Sequence, residues 1–209
     1  MLATRELIKN EFLNIYKVKP LHKISVSDLS KACNLSRGTF YFYFEDVYAL
    51  YRVCEKSVID RMEKEFPEVV LCIVGVDFNR FVKVFGKLLH GIINYIDTFK
   101  CLLNGSEEAS FRKALFESFR CHYELSIHFS SVVSPTHSDY LTRFFAGGLQ
   151  SIISYWVLTG CTDKLECEVQ AEEIAYIAAQ VLFKGAFIPK YINSAEVSQR
   201  PATNKQHAK

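Results

Sequence analysis

The sequence predicts an all-α protein in which a short N-terminal helical domain precedes a longer helical domain. Apolar residues recur at the three- and four-residue spacing of helices along the 209 residues, and few stretches alternate with the period of strands. Residues that begin and end helices separate these periodic segments. With 49% apolar and 23% charged residues, the composition is that of a globular chain.

The composition also bears on the compartment. The longest apolar runs are too short to span a bilayer, and charged residues interrupt the N-terminal segment, so a cytoplasmic protein without membrane contact is expected. Seven cysteines, an odd number without a CxxC pair, argue against a secreted disulfide scaffold and favour reduced, buried thiols. Cys161 and Cys167 bracket a predicted loop, which leaves a redox or metal role open.

Charge is distributed unevenly along the chain. Residues 1–44 contain seven Lys and Arg and three Asp and Glu, a balance of +4, so the remaining residues carry −2 of the total of +2. A basic first segment on a mildly acidic body indicates that only this segment meets a polyanion. The alternative is that the asymmetry arose by chance.

The first three helices are short and closely spaced. The first is predicted over residues 3–17 and has one apolar face. Ser25 with Asp28 forms the pattern of a capping box and opens the second helix. Asn34 tolerates the left-handed conformation that ends a helix, and Ser36 then caps the third helix.

The later helices are longer and more apolar. Pro67 is expected to stop the fourth helix, and Asn104 with Gly105 marks a stop and restart. The polar C-terminal tail, residues 193–209, is predicted to be disordered. The later helices are predicted over residues 46–66, 78–103 with a break near Asp97, 107–131, 138–159 and 168–187.

Three short helices with a tight turn between the second and third make a helix-turn-helix. Leu29, Cys33, Leu35 and Phe40 are spaced to form its small core. This arrangement leaves the start of the third helix free to approach phosphates with its unpaired N–H groups. The bland alternative is a look-alike turn whose aromatic residues only fill a core.

The third helix has the composition that base recognition needs. Arg37 can fork to guanine, Thr39 can offer a hydroxyl or methyl group, and Gly38 lets the helix lie close to a groove. Tyrosine hydroxyls commonly bond phosphate oxygens, which sets register. The predicted DNA-contacting residues are Ser25, Ser27, Ser36, Arg37, Gly38, Thr39, Tyr41 and Tyr43.

The stretch ISVSDLSKACNLSRGTFYFYFEDVYAL resembles the DNA-binding domain of the TetR family of bacterial transcriptional regulators, over about residues 5–66. The resemblance implies about nine helices: a three-helix helix-turn-helix DNA-binding domain in residues 1–46, then a helical ligand-binding and dimerisation domain in residues 47–192. It also implies a homodimer on an inverted-repeat operator. The residues that carry it are Ser25, Leu29, Cys33, Leu35, Ser36, Gly38, Thr39, Phe40, Tyr41, Tyr43, Phe44 and Leu50.

Two positions depart from the family pattern. Asn34 stands where the family usually has Gly, and it tolerates the same backbone conformation. Val47 stands where the family usually has a phosphate-binding Lys, next to the acidic pair Glu45 and Asp46. Loss of that contact predicts weaker DNA binding than is usual in the family. Compensating cations are available at Lys17, Lys19, His22 and Lys23.

The C-terminal half contains no GxSxG, P-loop, GxGxxG or HExxH motif, so neither an enzyme nor a cofactor is predicted. The segment FFAGGLQSIISYWVLTG resembles the eighth helix of a TetR-type C-terminal domain. Phe144, Phe145, Gly148 and Trp156 resemble, more loosely, a subgroup that includes regulators of dihydroxyacetone kinase operons.

The family resemblance implies that the last two long helices of each subunit form a four-helix dimer interface. Small residues there permit close helix approach, and branched apolar residues supply the area. The alternative is that these residues are only intramolecular core. The predicted interface residues are Gly147, Leu149, Ile152, Ile153, Ile174, Ile177 and Val181.

The resemblance also implies a small effector between the middle helices, in an apolar pocket with a few polar groups. No metal site is predicted, because His122 and His128 do not share one helix face. The function expected is repression that the effector relieves; the alternative is a protein-interaction module on a degenerate helix-turn-helix. The predicted effector-contacting residues are Phe81, Phe85, Leu89, Phe119, His122, Tyr123 and Phe144.

Overall fold

A computed structural model describes residues 2–128, 135–160 and 163–184. These residues form ten α-helices and no strand, which confirms the all-α prediction. One 3-10 turn (Leu21–Lys23) and one π-helical turn (Trp156–Gly160) complete them. The helices are α1 (Leu2–Tyr16), α2 (Val26–Ala32), α3 (Arg37–Tyr43), α4 (Val47–Glu63), α5 (Phe66–Val74), α6 (Phe78–Ile93), α7 (Ile96–Asn104), α8 (Glu108–His128), α9 (Pro135–Tyr155) and α10 (Lys164–Lys184).

Local side-chain chemistry determines where α2 and α3 begin. At α2, the Ser25 hydroxyl accepts from the Asp28 amide at 3.1 Å, and the Ser25 amide donates to the Asp28 carboxylate at 2.9 Å. At α3, the Ser36 hydroxyl accepts from the Thr39 amide at 3.0 Å. Asn34 between them has a φ of 53°, the left-handed conformation predicted for the turn.

The N-terminal helices enclose the small core that the sequence predicts. Leu29, Cys33 and Phe40 are buried, and Leu35 packs half-buried against them. The aromatic ring of Phe44 closes one side, with the Arg5 guanidinium 5.5 Å from the ring centre. α3 is therefore anchored by one face only.

The predicted helix end at Pro67 is wrong, whereas the predicted break near Asp97 is confirmed. Pro67 lies in the first turn of α5 and does not end a helix, because proline lacks only an amide that the first turn leaves unpaired. The helix predicted over residues 78–103 is two helices, and the break lies at Asn94 and Tyr95, just before Asp97. The Tyr95 ring there packs beneath the Arg61 guanidinium, 5.3 Å from it.

The second half of the chain is a helical bundle with an aromatic core. α10 packs along α6, α9 packs along α8, and α5 contacts both α6 and α8. α10 begins at Lys164, four residues before the predicted start, where the Asp163 carboxylate accepts from the Glu166 amide at 2.9 Å. The largest fully buried side chains in this core are Phe81, Phe85, Phe99, Phe111 and Phe119.

The cysteines depart in one place from the expectation of reduced thiols. Cys33, Cys54, Cys72 and Cys101 are free and buried, and Cys121 is free and exposed. Burial raises the pKa of the Cys101 thiol to about 11. Cys167 is disulfide-bonded, which an odd number of cysteines without a CxxC pair does not exclude. Cys161, which was considered with Cys167 for a redox or metal role, lies outside the described residues.

Within the described ranges, no helix is long and apolar enough to cross a membrane. The predicted disordered tail, residues 193–209, lies outside the described part of the chain.

Candidate nucleic-acid interface and its link to the second domain

The outer face of α3 is its solvent-exposed surface, formed by Arg37, Gly38, Tyr41 and Phe42. At 100° per residue, Gly38 and Phe42 lie opposite the buried Phe40, whereas Tyr41 lies about 100° and Arg37 about 60° around the helix from Phe40. Arg37 and Gly38 are exposed, and the exposed fractions of Tyr41 and Phe42 are 56% and 70%. Such a surface combines a cation, a gap without a side chain and two aromatic rings.

Arg37 is tethered to the preceding helix. Its Nη2 donates to the Ser27 hydroxyl at 3.1 Å, which restricts the guanidinium at the N-terminus of α3. The hydroxyls of Ser36 and Thr39 lie 2.9 Å apart, and Ser25 and Ser36 both act as helix caps. Ser25, Ser27 and Ser36, predicted to contact DNA, therefore hold the backbone and the side chain of Arg37 in place within the domain.

Two residues of α3 differ from their predicted environments. Tyr43, predicted on the outer side, is half-buried and packs against the core. Phe42 was not among the predicted contacts, yet it is the more exposed of the two rings on the outer face. Its position four residues after Gly38, on the same helix face, is the sequence signal that identifies it.

The start of α4 explains what Val47 does here. Val47 is the first residue of α4, and its side chain is only 6% exposed within the core. The Asp46 carboxylate caps α4 by accepting from the Ala49 amide, while Glu45 is exposed directly after α3. Glu45 and Asp46 are both exposed and make this end of α3 acidic, whereas Val47 serves packing.

The proposed compensating cations are not equivalent. Lys17, His22 and Lys23 are exposed, but the Lys19 ammonium lies 2.7 Å from the Asp28 carboxylate. That contact and the hydrogen bonds from Ser25 hold the pKa of Asp28 well below its usual range. Lys19 is therefore already committed to an ion pair within the domain.

A turn between α7 and α8 makes three hydrogen bonds, two to the first domain and one to α4. The Leu21 amide donates to the Ser106 hydroxyl at 3.0 Å. The Glu107 amide donates to the Tyr16 hydroxyl at 2.9 Å, and its carbonyl accepts from the Tyr51 hydroxyl at 3.0 Å. Burial raises the pKa of Tyr51, so this hydroxyl stays a donor. A short segment of the second domain thus contacts α1, the 3-10 turn and α4.

Gly105 is required beside this turn. A Cβ atom built at Gly105 would collide with the ring of Tyr16, while the Gly105 backbone itself is in an ordinary extended conformation. The absence of a side chain at Gly105 is therefore what lets α1 approach the turn.

The predicted effector-contacting residues lie in different environments. Phe81, Phe85, Leu89 and Phe119 are almost fully buried in the packed core. His122 stacks on Phe66 with the ring centres 4.2 Å apart, and Tyr123 lies 4.9 Å from the ring of Phe145. Burial raises the pKa of Tyr123 to about 12. The prediction that Phe144 lines the interior is wrong, because its side chain is 64% exposed on α9.

A polar cleft of about 840 Å³ lies along α6, away from the predicted effector residues. Two of its cations are already paired: Arg80 lies 3.4 Å from Glu68, and Lys87 lies 2.8 Å from Glu65. The cleft also contains Asp77, which caps α6. Its charges are therefore largely balanced.

An apolar groove of about 210 Å³ lies between α9 and α10. Four predicted interface residues line it: Leu149, Ile152, Ile177 and Val181. Ile153 and Ile174 are buried inside the single chain, so the prediction that they form the contact surface is wrong. Gly147 faces inward, since a Cβ there would lie 4.0 Å from the Phe116 ring. The groove's full lining is Phe144, Phe145, Gly148, Leu149, Ile152, Ile177, Ala178, Val181 and Leu182.

Residues 80–180 match a TetR-type family described as "Transcriptional regulator C-terminal region", and TetR-family regulators recur among the solved structures that share the fold of the chain. The C-terminal region of the chain therefore matches the TetR family of transcriptional regulators. This TetR-family assignment confirms the predicted family and the prediction of a regulator instead of an enzyme.

Three solved TetR-family structures illustrate the shared fold. NalD from Pseudomonas aeruginosa, the secondary repressor of the MexAB-OprM multidrug efflux pump, has a TM-score of 0.60 and 14% identity, covering 88% of this chain and 98% of NalD. The dihydroxyacetone kinase operon activator DhaS has a TM-score of 0.55 and 15% identity, covering 87% and 98%. FadR from Thermus thermophilus, a repressor solved with lauroyl-CoA, has a TM-score of 0.50 and 15% identity, covering 90% of this chain and 98% of FadR.

A comparison with curated proteins found no match. At identities near 15%, the solved structures establish the TetR fold alone.

Proposed function

We propose that this TetR-family protein is a repressor that binds an inverted-repeat DNA operator as a homodimer and is released by a small-molecule effector. The observation that carries the DNA proposal is the outer face of α3. Arg37 at the start of α3 matches the major-groove edge of guanine, and the exposed Tyr41 hydroxyl matches a phosphate oxygen. The helix start also directs unpaired amides toward phosphates.

The apolar groove between α9 and α10 supports the homodimer. Exposed aromatic residues beside it, Tyr140, Phe144 and Tyr155, lie on α9, and Ile177 is exposed on α10. A second copy of the same two helices would cover this face and complete a four-helix interface. Two recognition helices would then meet successive major grooves about 34 Å apart.

The effector is proposed to act through the turn between α7 and α8. Because Ser106 and Glu107 hydrogen-bond to Leu21 and Tyr16 of the first domain, and Glu107 also to Tyr51 of α4, a shift of this turn would change the position of α1 and α4. Typical coupling free energies between two such sites are about 1–3 kcal/mol. We keep His122 and Tyr123 as proposed effector contacts, because they are half-buried polar residues at the edge of the aromatic core.

The test is a selection of genomic DNA fragments with the full-length protein at low salt, followed by sequencing of the bound pool. An enriched inverted repeat is expected, and its neighbouring genes narrow the effector class. The matched control is the Arg37→Ala, Tyr41→Ala double variant, which changes exposed side chains only. Equal enrichment by the wild type and this variant would contradict the proposed interface.

A second candidate is a protein-interaction module on the same helix-turn-helix. Glu45 is exposed at the end of α3 and Val47 is buried, so this junction repels phosphate and lacks the usual Lys. If the pool shows only salt-sensitive background, this candidate replaces the repressor proposal.

A further inference from the structure

We propose that Phe42 reads the methyl group of a thymine in each operator half-site and so sets part of the sequence preference. The proposal rests on the DNA-binding function above and extends it to a residue that the sequence motifs did not identify. It is carried by the exposure of Phe42, by the contact that holds its ring and by the space beside it.

The Phe42 ring is exposed but held in place. It is 70% exposed, yet it meets the Tyr43 ring edge-to-face, with centres 5.0 Å apart and planes at 89°. Tyr43 itself packs against the core of the domain. The ring is therefore presented to solvent from a fixed support, as a contact that reads shape requires.

Gly38 leaves the approach to Phe42 open. Residues four apart lie on one face of a helix, so a side chain at position 38 would stand next to the Phe42 ring. Within the chain, a Cβ at Gly38 would meet only the Ser36 hydroxyl at 3.6 Å. The free space on this face is thus directed outward, where the floor of a groove would lie.

The chemistry of Phe42 selects one partner in the major groove. Phenylalanine has no hydrogen-bonding atom, so it cannot bond a phosphate or a polar base edge. The apolar group that base pairs present in the major groove is the thymine C5 methyl, and phenylalanine is among its recognised partners. Arg37 at the start of the same helix suits guanine, and it lies about 140° around the helix from Phe42, so the two residues contact different positions.

DNA is the occupant favoured by the surroundings of Phe42. The same helix begins with the exposed Arg37, and residues 1–44 carry a balance of +4. The face suited to a second copy of the chain is instead the groove between α9 and α10.

The experiment removes the methyl group alone. Each thymine of the selected operator is replaced in turn by deoxyuridine, and dissociation constants are measured for the wild type and Phe42→Ala by fluorescence anisotropy. At one symmetric pair of thymines, replacement by deoxyuridine should lower the affinity of the wild type about fourfold per half-site, because it removes one apolar methyl group from the contact. Phe42→Ala should bind the thymine and deoxyuridine operators equally.

Control variants separate this role from general effects. Phe42→Leu keeps an apolar side chain and should retain part of the thymine preference, while Tyr41→Phe should weaken all operators alike. Circular dichroism checks that each variant is folded. We expect no loss of structure in the Phe42 variants, because the Phe42 side chain is exposed. If the wild type binds an operator but no thymine position depends on Phe42, this proposal fails and the repressor proposal stands. If the wild type selects no operator, both fail.

Discussion

At the scale of single residues, Gly38 is not required by the fold, and we expect it to be required for DNA binding. Its φ lies outside the left-handed region, and a Cβ at this position would meet no atom closer than the Ser36 hydroxyl at 3.6 Å. Alanine would therefore fit the folded chain. The cost of alanine would arise only on the side that faces DNA.

We predict that Gly38→Ala raises the free energy of unfolding by up to about 1 kcal/mol, because glycine is the poorer helix former. Operator affinity should fall, because the methyl group holds α3 away from the groove. Urea denaturation and anisotropy titration measure the two effects. The control is Gly91→Ala, where a Cβ has no neighbour within 4 Å, so stability should rise and binding stay unchanged. Full operator affinity in Gly38→Ala would contradict the proposed docking.

Asp28 gives the domain a predictable pH dependence. Its pKa is lowered in the folded state by Lys19 and Ser25, so its contribution is present above about pH 4 and is lost as pH falls below that value. Asp28→Asn should lower stability at pH 7 on the order of 1 kcal/mol, after discounting for the exposure of the pair. Urea unfolding at pH 7 and at several values between pH 4 and pH 2 measures the difference. It should shrink progressively as pH falls below 4; a difference that stays constant over this range would refute the ion-pair explanation.

At the scale of helices, the helix ends show what could and could not be predicted from the sequence. Ser25, Asn34 and Ser36 act within a few residues, so the predictions of the caps and the turn are confirmed. The prediction at Pro67 is wrong because proline both ends helices and begins them. The burial of Val47 depends on how α4 packs against the small core. The sequence motif gives the position of Val47 in the chain but does not show whether its side chain is buried or exposed.

The burial of Val47 changes which substitution tests the missing phosphate contact. Val47→Lys should lower stability by about 1–3 kcal/mol, because it places an ammonium where an apolar group is packed. Glu45→Lys, at an exposed position, should tighten operator binding and steepen the salt slope by about one unit. Glu45→Gln, which only removes repulsion, is the control. Salt titrations compare the three, and a slope unchanged in Glu45→Lys would count against a phosphate near this junction.

The α9 and α10 pair tests the dimer. Ile177→Glu places a carboxylate in the apolar groove and should give monomers in light scattering, with weaker operator binding because the two half-sites lose their linkage. The control is Leu71→Glu on α5, an equally apolar, exposed residue away from the groove, which should leave the dimer intact. A stable Ile177→Glu dimer would place the interface elsewhere. The buried Ile153 and Ile174 could not be told from surface residues by helical periodicity alone.

At the scale of the whole molecule, the hydrogen bonds of the α7–α8 turn should make the two domains unfold together. Tyr16→Phe removes the acceptor for the Glu107 amide and should lower stability by about 1–3 kcal/mol, because that amide loses its partner. Calorimetry should show one transition for the wild type and a broader or divided transition for the variant. Tyr41→Phe, on the exposed face of α3, is the control. A sharp single transition in Tyr16→Phe would contradict this linkage.

The collision at Gly105 carries a consequence for sequence variation. Because the ring of Tyr16 occupies the space where a side chain at position 105 would stand, the two positions share one volume. A library that randomises both codons should return variants in which a larger residue at position 105 accompanies a smaller one at position 16. Those survivors would give up the hydroxyl that receives the Glu107 amide. Under the proposed function, these variants should still repress but should no longer respond to the effector, and a selection with and without effector would measure both properties.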